Sequence, residues 1–160
     1  MHRKRVSLVI NPREGQNIAK ITDILAVLAA AGWDTRLLLK KYYGETVSLG
    51  MKAVQEGADL VVSYGGDGTL NQVVNGVLKA KGKSIVGLIP GGTANEWAGE
   101  MHIPADPVKA ALALKGGAQA LASRWPAEAS ALAASLAQPT PRERRTRPTP
   151  SAWPTCTRPS

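Results

Sequence analysis

Three short segments of the sequence combine glycine with hydroxyl, amide or carboxylate side chains, and this combination suits the binding of phosphate. The segments are residues 11–15, 65–71 and 90–95. Glycine lets backbone N–H groups approach an anion closely, and a helix that begins in such a loop adds partial positive charge. These residue types therefore indicate a site for a phosphate-bearing ligand.

The central segment, Gly-Gly-Asp-Gly-Thr-Leu-Asn at residues 65–71, matches neither of the common nucleotide-binding motifs. A Walker A loop needs Gly-Lys-Ser/Thr, which is absent. A dinucleotide fingerprint that starts at Gly66 and Gly68 would need a third glycine where Asn71 stands. What remains is a strand, a loop with three glycines around an acid, and a helix that begins near Thr69.

Two residues of these loops have both a chemical and a structural interpretation. Asp67 beside phosphate is repulsive unless Mg²⁺, water or a proton transfer mediates, which favours phosphoryl transfer. Asp after Gly is also common as a turn residue or helix N-cap. Thr93 could contact the ligand, but Thr93 and Glu96 together spell Thr-x-x-Glu, the capping box of a short helix. The residues alone leave both interpretations open.

The elements that must position the loops alternate between strand and helix. Apolar runs predict strands at residues 5–10, 34–39, 60–63 and 84–89. Helices are predicted from residue 18 to a cap at Gly32, over residues 45–56, from Thr69, and from an Asp106 N-cap through Leu114. Their expected buried positions are Ile18, Ile21, Leu25 and Leu28; Val47, Met51 and Val54; and Leu70, Val73, Val74 and Val77.

Strict strand and helix alternation predicts an α/β domain with a doubly wound parallel sheet and right-handed crossovers. In such a sheet ligands bind at the carboxyl ends of the strands, and each of the three loops follows a strand. We therefore expect the loops to share one edge of the sheet.

Composition supports one α/β domain and excludes several classes of protein. The chain has 160 residues, 44% of them hydrophobic and none of them Phe, so the core must be built from aliphatic side chains, which suits parallel strands. The single cysteine, Cys156, cannot form an intramolecular disulfide, and no apolar run approaches the roughly 20 residues that cross a bilayer. We expect a cytoplasmic protein. His2 and His102 lack partners at ligand spacing, so no metal site is assigned.

The last quarter of the chain has a different character. After Gly117 the sequence becomes rich in Ala, Ser, Pro, Arg and Thr, which predicts a domain over residues 1–117 and a disordered tail over residues 118–160. The abrupt change motivates the hypothesis of a truncation or a shifted reading frame. Nucleic-acid binding, suggested by the net charge of +8, would rest on the arginines of the tail alone, and no nucleic acid is expected.

The complete set of loops, in order and with this spacing, resembles the diacylglycerol kinase catalytic-domain family, which includes bacterial lipid kinases and the related sphingosine and ceramide kinases. The resemblance covers about residues 5–115 and implies ATP-dependent and Mg²⁺-dependent phosphorylation of a lipid hydroxyl at the inner membrane surface. It implies a nucleotide cleft between this domain and a β-rich second domain. Carried onto this sequence, the ATP contacts are Asn11, Gly65, Gly66, Asp67, Gly68, Thr69, Leu70, Asn71 and Thr93, with Asp67 as the catalytic residue near the transferred phosphate.

The sequence departs from the family pattern at three points. Glu96 stands where the family usually has Asp, and Lys40 takes a position often held by a nucleotide-contacting Thr. Nothing after Gly117 resembles the second domain, which in the family supplies the general base and part of the metal site. Two hypotheses follow: a lipid kinase that is truncated in this chain, or a non-catalytic nucleotide-binding module or inactive fragment. The acceptor lipid and the oligomeric state are not predicted.

Overall fold

The computed structural model describes residues 3–12 and 17–115. Within them four parallel strands form one sheet in the order β2-β1-β3-β4. This is the α/β architecture predicted from the alternating pattern. The predicted tail, residues 118–160, lies outside the described residues. In chain order the elements are β1 (Arg5–Ile10), α1 (Asn17–Ala30), β2 (Asp34–Leu39), α2 (Glu45–Gln55), β3 (Leu60–Gly65), α3 (Asp67–Lys79), β4 (Ile85–Pro90), α4 (Glu96–Glu100) and α5 (residues 107–115).

Helices cover both faces of the sheet, so it is doubly wound as expected. Along β1, Val6, Leu8 and Ile10 belong to a core that contains residues of α1 and α5. Val9, which points the other way, belongs to a second core with residues of α2 and α3. Because successive side chains of a strand point to opposite faces, a strand buried on both faces must be apolar almost throughout, as β1 is.

The buried face of α3 was predicted correctly, because all four of its expected apolar positions are buried. The prediction for α1 was wrong at Ile18, whose side chain is 58% exposed in the first turn of the helix, and it missed Ile24, which is fully buried with Leu28. Ile21 and Leu25 are half-buried beside them.

The predicted face of α2 was wrong by part of a turn. The residues of α2 that are buried are Thr46, Leu49, Gly50 and Ala53, whereas Val47, Met51 and Val54 are half-buried. Close packing of α2 on α3 explains this difference. A Cβ atom on Gly50 would lie 2.9 Å from the backbone oxygen of Val73 and 3.2 Å from the Cα of Gly76, so only small residues fit between the helices.

Helix ends follow the predicted signals. Gly32 and Gly57, which follow α1 and α2, have φ values of +76° and +77°, the left-handed conformation that favours glycine. Asp106 caps α5, because its Oδ1 accepts hydrogen bonds from the backbone N–H groups of Val108 at 3.0 Å and Lys109 at 2.9 Å. The hydrogen bond from Lys109 has the largest effect and lowers the pKa of the Asp106 carboxyl. Desolvation acts in the opposite direction, and the hydrogen bond from Val108 lowers the pKa further.

The connection between β3 and α3 is shorter than predicted. The strand continues to Gly65, two residues beyond the expected end, and the helix begins at Asp67 instead of near Thr69. Gly66 is therefore the one residue between strand and helix, with extended backbone angles. Asp67 is therefore the first residue of α3, so its side chain projects from the start of that helix.

Candidate functional site

The three glycine-bearing loops start side by side at one edge of the sheet, as predicted. In the parallel register Ile10 of β1 is opposite Tyr64 of β3, which is opposite Ile89 of β4. The residues that follow these positions, Asn11, Gly65 and Pro90, therefore lie at the carboxyl ends of adjacent strands. Lys40 lies at this edge as well, because its N–H donates to the carbonyl of Ile10 at 2.9 Å.

The loop after β3 and the loop after β4 are in direct contact. The N–H of Gly91 donates to the carbonyl oxygen of Gly65 at 2.9 Å. A Cβ atom on Gly92 would lie 2.5 Å from the Cα of Gly66, which is closer than such atoms pack. Glycine at position 92 is thus required for the contact of the two loops with each other, whatever ligand they bind.

Gly68 has a different environment from Gly92. It is exposed, and a Cβ atom placed on it would meet nothing within 4 Å. Glycine is among the least favourable residues in a helix, yet packing does not require it here. The N-cap residue Gly66 supplies no side-chain cap to α3. The N-terminus of this helix of 13 residues therefore offers an anion partial positive charge and, at Gly68, a backbone that no side chain covers.

The carboxylate of Asp67 bridges from α3 to α4. Its Oδ2 accepts a hydrogen bond from the N–H of Glu96 at 3.0 Å, and its Oδ1 accepts one from the N–H of Trp97 at 3.2 Å. The interpretation of Asp67 as the N-cap of its own helix was thus wrong, because Gly66 has that position; its carboxylate instead accepts N–H groups of a helix that begins 29 residues later in the chain.

The predicted capping box at Thr93 was wrong. Helix α4 begins at Glu96, and its N-cap is Asn95, which has a left-handed backbone with φ of 50°. The Asn95 side chain is engaged within its own loop, since it accepts from the N–H of Gly92 at 2.9 Å and donates to the Gly92 carbonyl at 2.7 Å. Because Asp67 takes the first N–H groups of α4, Thr93 is not needed as a cap, and its side chain is exposed.

The other predicted contact residues differ in accessibility. Asn11 is half-buried at the end of β1. Thr69 and Leu70 are each 4% exposed, and the Leu70 side chain packs in the core with α2 and α3. Asn71 accepts from the Asn75 side chain through both its backbone oxygen and its Oδ1, at 2.8 and 2.7 Å. The structure thus brings Asn11, residues 66–68 and Thr93 to one accessible edge, whereas Gly65 and the side chains of Thr69 and Leu70 are buried.

A cleft of about 730 Å³ adjoins the loop after β4, on the side of the sheet that carries α1 and α5. Its lining includes Lys20, Tyr64, Asn95 and Asp106. Asn95 belongs to the predicted loop of residues 90–95 and Asp106 was predicted as a helix cap, whereas the sequence did not mark Lys20 or Tyr64. The Tyr64 hydroxyl is buried and has no hydrogen-bond partner among the described residues. Burial, with a smaller effect of the Asp106 charge, raises the pKa of Tyr64 to about 12. The sequence signal that could have identified this residue is a tyrosine near the end of a mostly aliphatic strand.

Lys40 and its neighbours form a second feature that the site prediction did not include. The Lys40 ammonium lies 5.7 Å from the centre of the Tyr43 ring, and that ring is 79% exposed. A cation and the face of an aromatic ring attract each other, by a modest energy at exposed sites. The contact holds a positive charge beside the ends of β1 and β2.

Carboxylates are sparse around these loops. Within residues 3–12 and 17–115 no group of three or more His, Cys, Asp or Glu side chains could hold a metal ion. Asp67 and Glu96 are the acidic residues at the point where the starts of α3 and α4 meet. In the same part of the chain, no helix has the length and apolar character required to span a bilayer.

Comparison with known proteins agrees with this geometry. A family model for the diacylglycerol kinase catalytic domain matches residues 5–123. A diacylglycerol kinase of Staphylococcus saprophyticus is 33% identical over 110 residues, which cover 68% of this chain and 36% of that protein. One of Staphylococcus aureus is 36% identical over 106 residues, 65% of this chain and 34% of that protein. The chain thus spans about a third of the length of these curated relatives.

Solved structures give the same result at the level of the fold. A crystal structure of a diacylglycerol kinase from Bacillus anthracis superposes with a TM-score of 0.65 and 29% sequence identity, covering 72% of this chain and 44% of that one. The parallel sheet, the adjoining glycine loops and the match of the family model together show that the chain belongs to the diacylglycerol kinase catalytic-domain family.

Proposed function

We propose that this chain is the nucleotide-binding part of an ATP-dependent lipid kinase, which transfers the γ-phosphate of ATP to a lipid hydroxyl. The observation that carries the proposal is Gly68. It is a glycine in the first turn of α3 that packing does not require, and the N-cap residue of that helix, Gly66, has no side chain to cap it. Close approach of a phosphate to the backbone is the physical reason to keep glycine there. Family membership makes ATP the expected source of that phosphate.

The proposed contacts follow from the accessible edge. Asn11, residues 65–71 and Thr93 would hold the nucleotide. The side chains of Thr69 and Leu70 are buried and their N–H groups donate to the Gly66 carbonyl at 3.1 Å, so these two residues would act by fixing the start of α3. Asp67 would lie near the transferred phosphate. Each of its oxygens accepts one N–H group, and a carboxylate oxygen has lone pairs for a further partner. Catalysis would consist mainly of positioning and charge neutralisation.

Mg²⁺ fits this donor set only as a partner of the nucleotide. The ion favours oxygen ligands, keeps several waters and commonly binds through one or two carboxylates together with substrate phosphates. Asp67 and Glu96 are the carboxylates at the loops that could take part. When bound, the ion would neutralise charge on the phosphates. Lys40, held at the same edge, adds a positive charge from the protein itself.

A lipid acceptor would bring the protein to the inner membrane surface. The hydroxyl of such a substrate lies near the headgroup region, and the chain carries a net charge of +8, which favours contact with an anionic leaflet. We therefore propose a cytoplasmic protein that meets its substrate at that surface.

A second candidate function is a non-catalytic nucleotide-binding module. The observation that favours it is the bonding of Asp67, because both of its carboxylate oxygens already accept N–H groups of α4, which gives this residue a structural role that needs no phosphate transfer. A module of this kind would bind ATP at the same loops without turnover and act through a partner.

ATP binding by the 160-residue chain tests the shared part of both candidates. We expect saturable binding of ATP in titration calorimetry, and we expect Gly68→Ala to weaken it about tenfold, because the added methyl group blocks the approach to the helix N-terminus. Gly99→Ala is the matched control: Gly99 is also an exposed helical glycine with nothing within 4 Å. Equal affinities for the two variants, or no binding by the wild-type chain at millimolar ATP, would contradict the proposed site.

Phosphate transfer separates the two candidates. The chain would be incubated with ATP labelled in the γ-phosphate, Mg²⁺ and vesicles that contain diacylglycerol, phosphatidylglycerol or a sphingoid base. Labelled lipid that disappears in Asp67→Ala supports the kinase. Binding of ATP without transfer to any of these acceptors favours the module.

A further inference from the structure

The loop after β4 is tied to the loop after β3 at two points. Near its start the backbone of Gly91 bonds to Gly65, and Gly92 touches Gly66. At its far end, where α4 begins, the carboxylate of Asp67 accepts the N–H groups of Glu96 and Trp97. Between the two points lies Thr93, one of the proposed nucleotide contacts. Within the segment the Asn95 side chain also bonds to the N–H and the carbonyl of Gly92, so the turn that carries Thr93 is held across its middle as well as at both ends.

From this geometry we propose that Asp67 is a positioning residue, which holds the segment of residues 91–97 against the glycine loop and so sets the geometry of the nucleotide site. The proposal rests on the nucleotide function proposed above and adds a role that does not require contact between Asp67 and the ligand. It uses one lone pair of each carboxylate oxygen.

The chemistry of the contact explains why an aspartate suits this position. The first N–H groups of a helix lack partners within the helix, and a carboxylate can accept two of them at once with charge assistance. An asparagine in the same place offers one oxygen and would turn an NH₂ group towards the other N–H. The short side chain reaches from the start of α3 to the start of α4, where its two oxygens lie 3.0 and 3.2 Å from the nitrogen atoms of Glu96 and Trp97.

The contact involves only the backbone of α4, which has a consequence for position 96. The Glu96 side chain is exposed, and its N–H would be in the same place whatever side chain the residue carried. The replacement of the usual family Asp by Glu at this position therefore leaves the bridge from Asp67 intact.

Amide hydrogen exchange tests the bridge directly. In the full 160-residue chain, we expect Asp67→Asn to speed exchange of the Glu96 and Trp97 amides about tenfold, because one of the two acceptors is lost. Asp59→Asn is the matched control. Asp59 also accepts a backbone N–H, that of Arg5 at 2.8 Å, but at the opposite edge of the sheet. Unchanged exchange at Glu96 and Trp97 in Asp67→Asn would overturn the proposal, and slow exchange in β1 and β3 verifies folding.

ATP affinity distinguishes positioning from direct contact. If Asp67 acts through the loop, Asp67→Asn weakens ATP binding about tenfold both with and without Mg²⁺. If it acts through metal or by its charge alone, its loss leaves unchanged or improves the binding of Mg²⁺-free ATP, since a repulsive charge is removed. That second result would overturn the proposal.

A double-mutant cycle with Gly92→Ala adds a readout that simple destabilisation would not give. The alanine Cβ forces Gly66 and Gly92 apart while Asp67 stays in place. We expect each single variant to weaken ATP binding. The double variant should bind ATP no more weakly than the single variant that binds it less well, because both changes release the same segment, residues 91–97, from the glycine loop. Additive losses would contradict the proposal. If the wild-type chain binds no ATP, the nucleotide function fails, and the exchange experiment still decides the role of Asp67.

Discussion

Gly76 of α3 rests on Gly50 of α2, so that a Cβ atom on Gly76 would lie 3.0 Å from the Cα of Gly50 and closer still to the backbone oxygen of Val47. Both helices cover the same face of the sheet, and α3 begins in the glycine loop. The position of the candidate site therefore depends on a contact between two helix backbones.

Gly76→Ala is expected to destabilise the protein by about 1–3 kcal/mol, because the methyl group meets backbone atoms that cannot rotate away. Urea unfolding followed by circular dichroism measures the effect. Gly99→Ala, which adds the same methyl group where nothing lies within 4 Å, should leave the midpoint unchanged or raise it slightly. Similar midpoints for both variants would show that the helices can separate at little cost.

Tyr64 should make stability depend on alkaline pH. Burial raises its pKa from 10.0 to about 12, so between these values the unfolded chain loses a proton that the folded chain keeps. Stability is therefore lost as pH rises from 10 to 12. Tyr64→Phe should show a smaller loss of the urea midpoint over this range, whereas Tyr43→Phe, at an exposed ring, should behave like the wild type. Identical pH profiles for all three proteins would contradict this expectation.

Asp106 should contribute to stability at the acid end. Its pKa is lowered in the folded state, chiefly by the hydrogen bond from the N–H of Lys109, so its contribution is present above the ordinary pKa of 3.8 and is lost as pH falls below it. Asp106→Ala should lower the thermal midpoint at pH 7, and Asp106→Asn, which keeps an oxygen for the cap, should lower it less. At pH 2 the wild-type midpoint should approach that of Asp106→Asn, because a protonated carboxyl resembles the amide, while Asp106→Ala stays lower; a difference between wild type and Asp106→Asn that does not change with pH would argue against the lowered pKa.

Lys40 should strengthen the binding of ATP. We expect Lys40→Gln to weaken it roughly fivefold, the size of one lost contact of an exposed charge with an anion, and the difference should shrink as salt is raised. Lys41→Gln removes the same charge one residue later, where the side chain is exposed, and should have a smaller effect. Titration calorimetry at two salt concentrations measures both. Equal effects would indicate a general charge contribution rather than a contact of Lys40.

The order of elements and the shared edge of the three loops could be predicted because both follow from local patterns. Buried strands are apolar runs, and parallel strands bring their carboxyl ends together. The same patterns identified the buried face of α3, where the inward residues are large and apolar.

The face of α2 could not be predicted in this way. Hydrophobic periodicity assigns large side chains to the interior, but the helices approach so closely that Gly50 and Ala53 are the residues that fit. The packing distance, which the sequence pattern does not contain, decided which face is buried.

The bridge from Asp67 to α4 was equally beyond a local reading. Thr93 and Glu96 have the spacing of a capping box, yet the cap comes from a residue 29 positions earlier. The fold determines that Asp67, and not Thr93, accepts these N–H groups, because the sheet register places the two loops together.

The contact between Gly66 and Gly92 also bears on how a ligand would bind. Loops that are already packed on each other have little conformational entropy left to lose when a ligand arrives, so less of the interaction energy is spent on ordering the site. Association would need no prior closing of these two loops, and its rate would then be governed by diffusion and by the charge that meets the ligand. The glycines at positions 66 and 92, which let the two loops pack on each other, thus preorganise this edge of the sheet for a ligand.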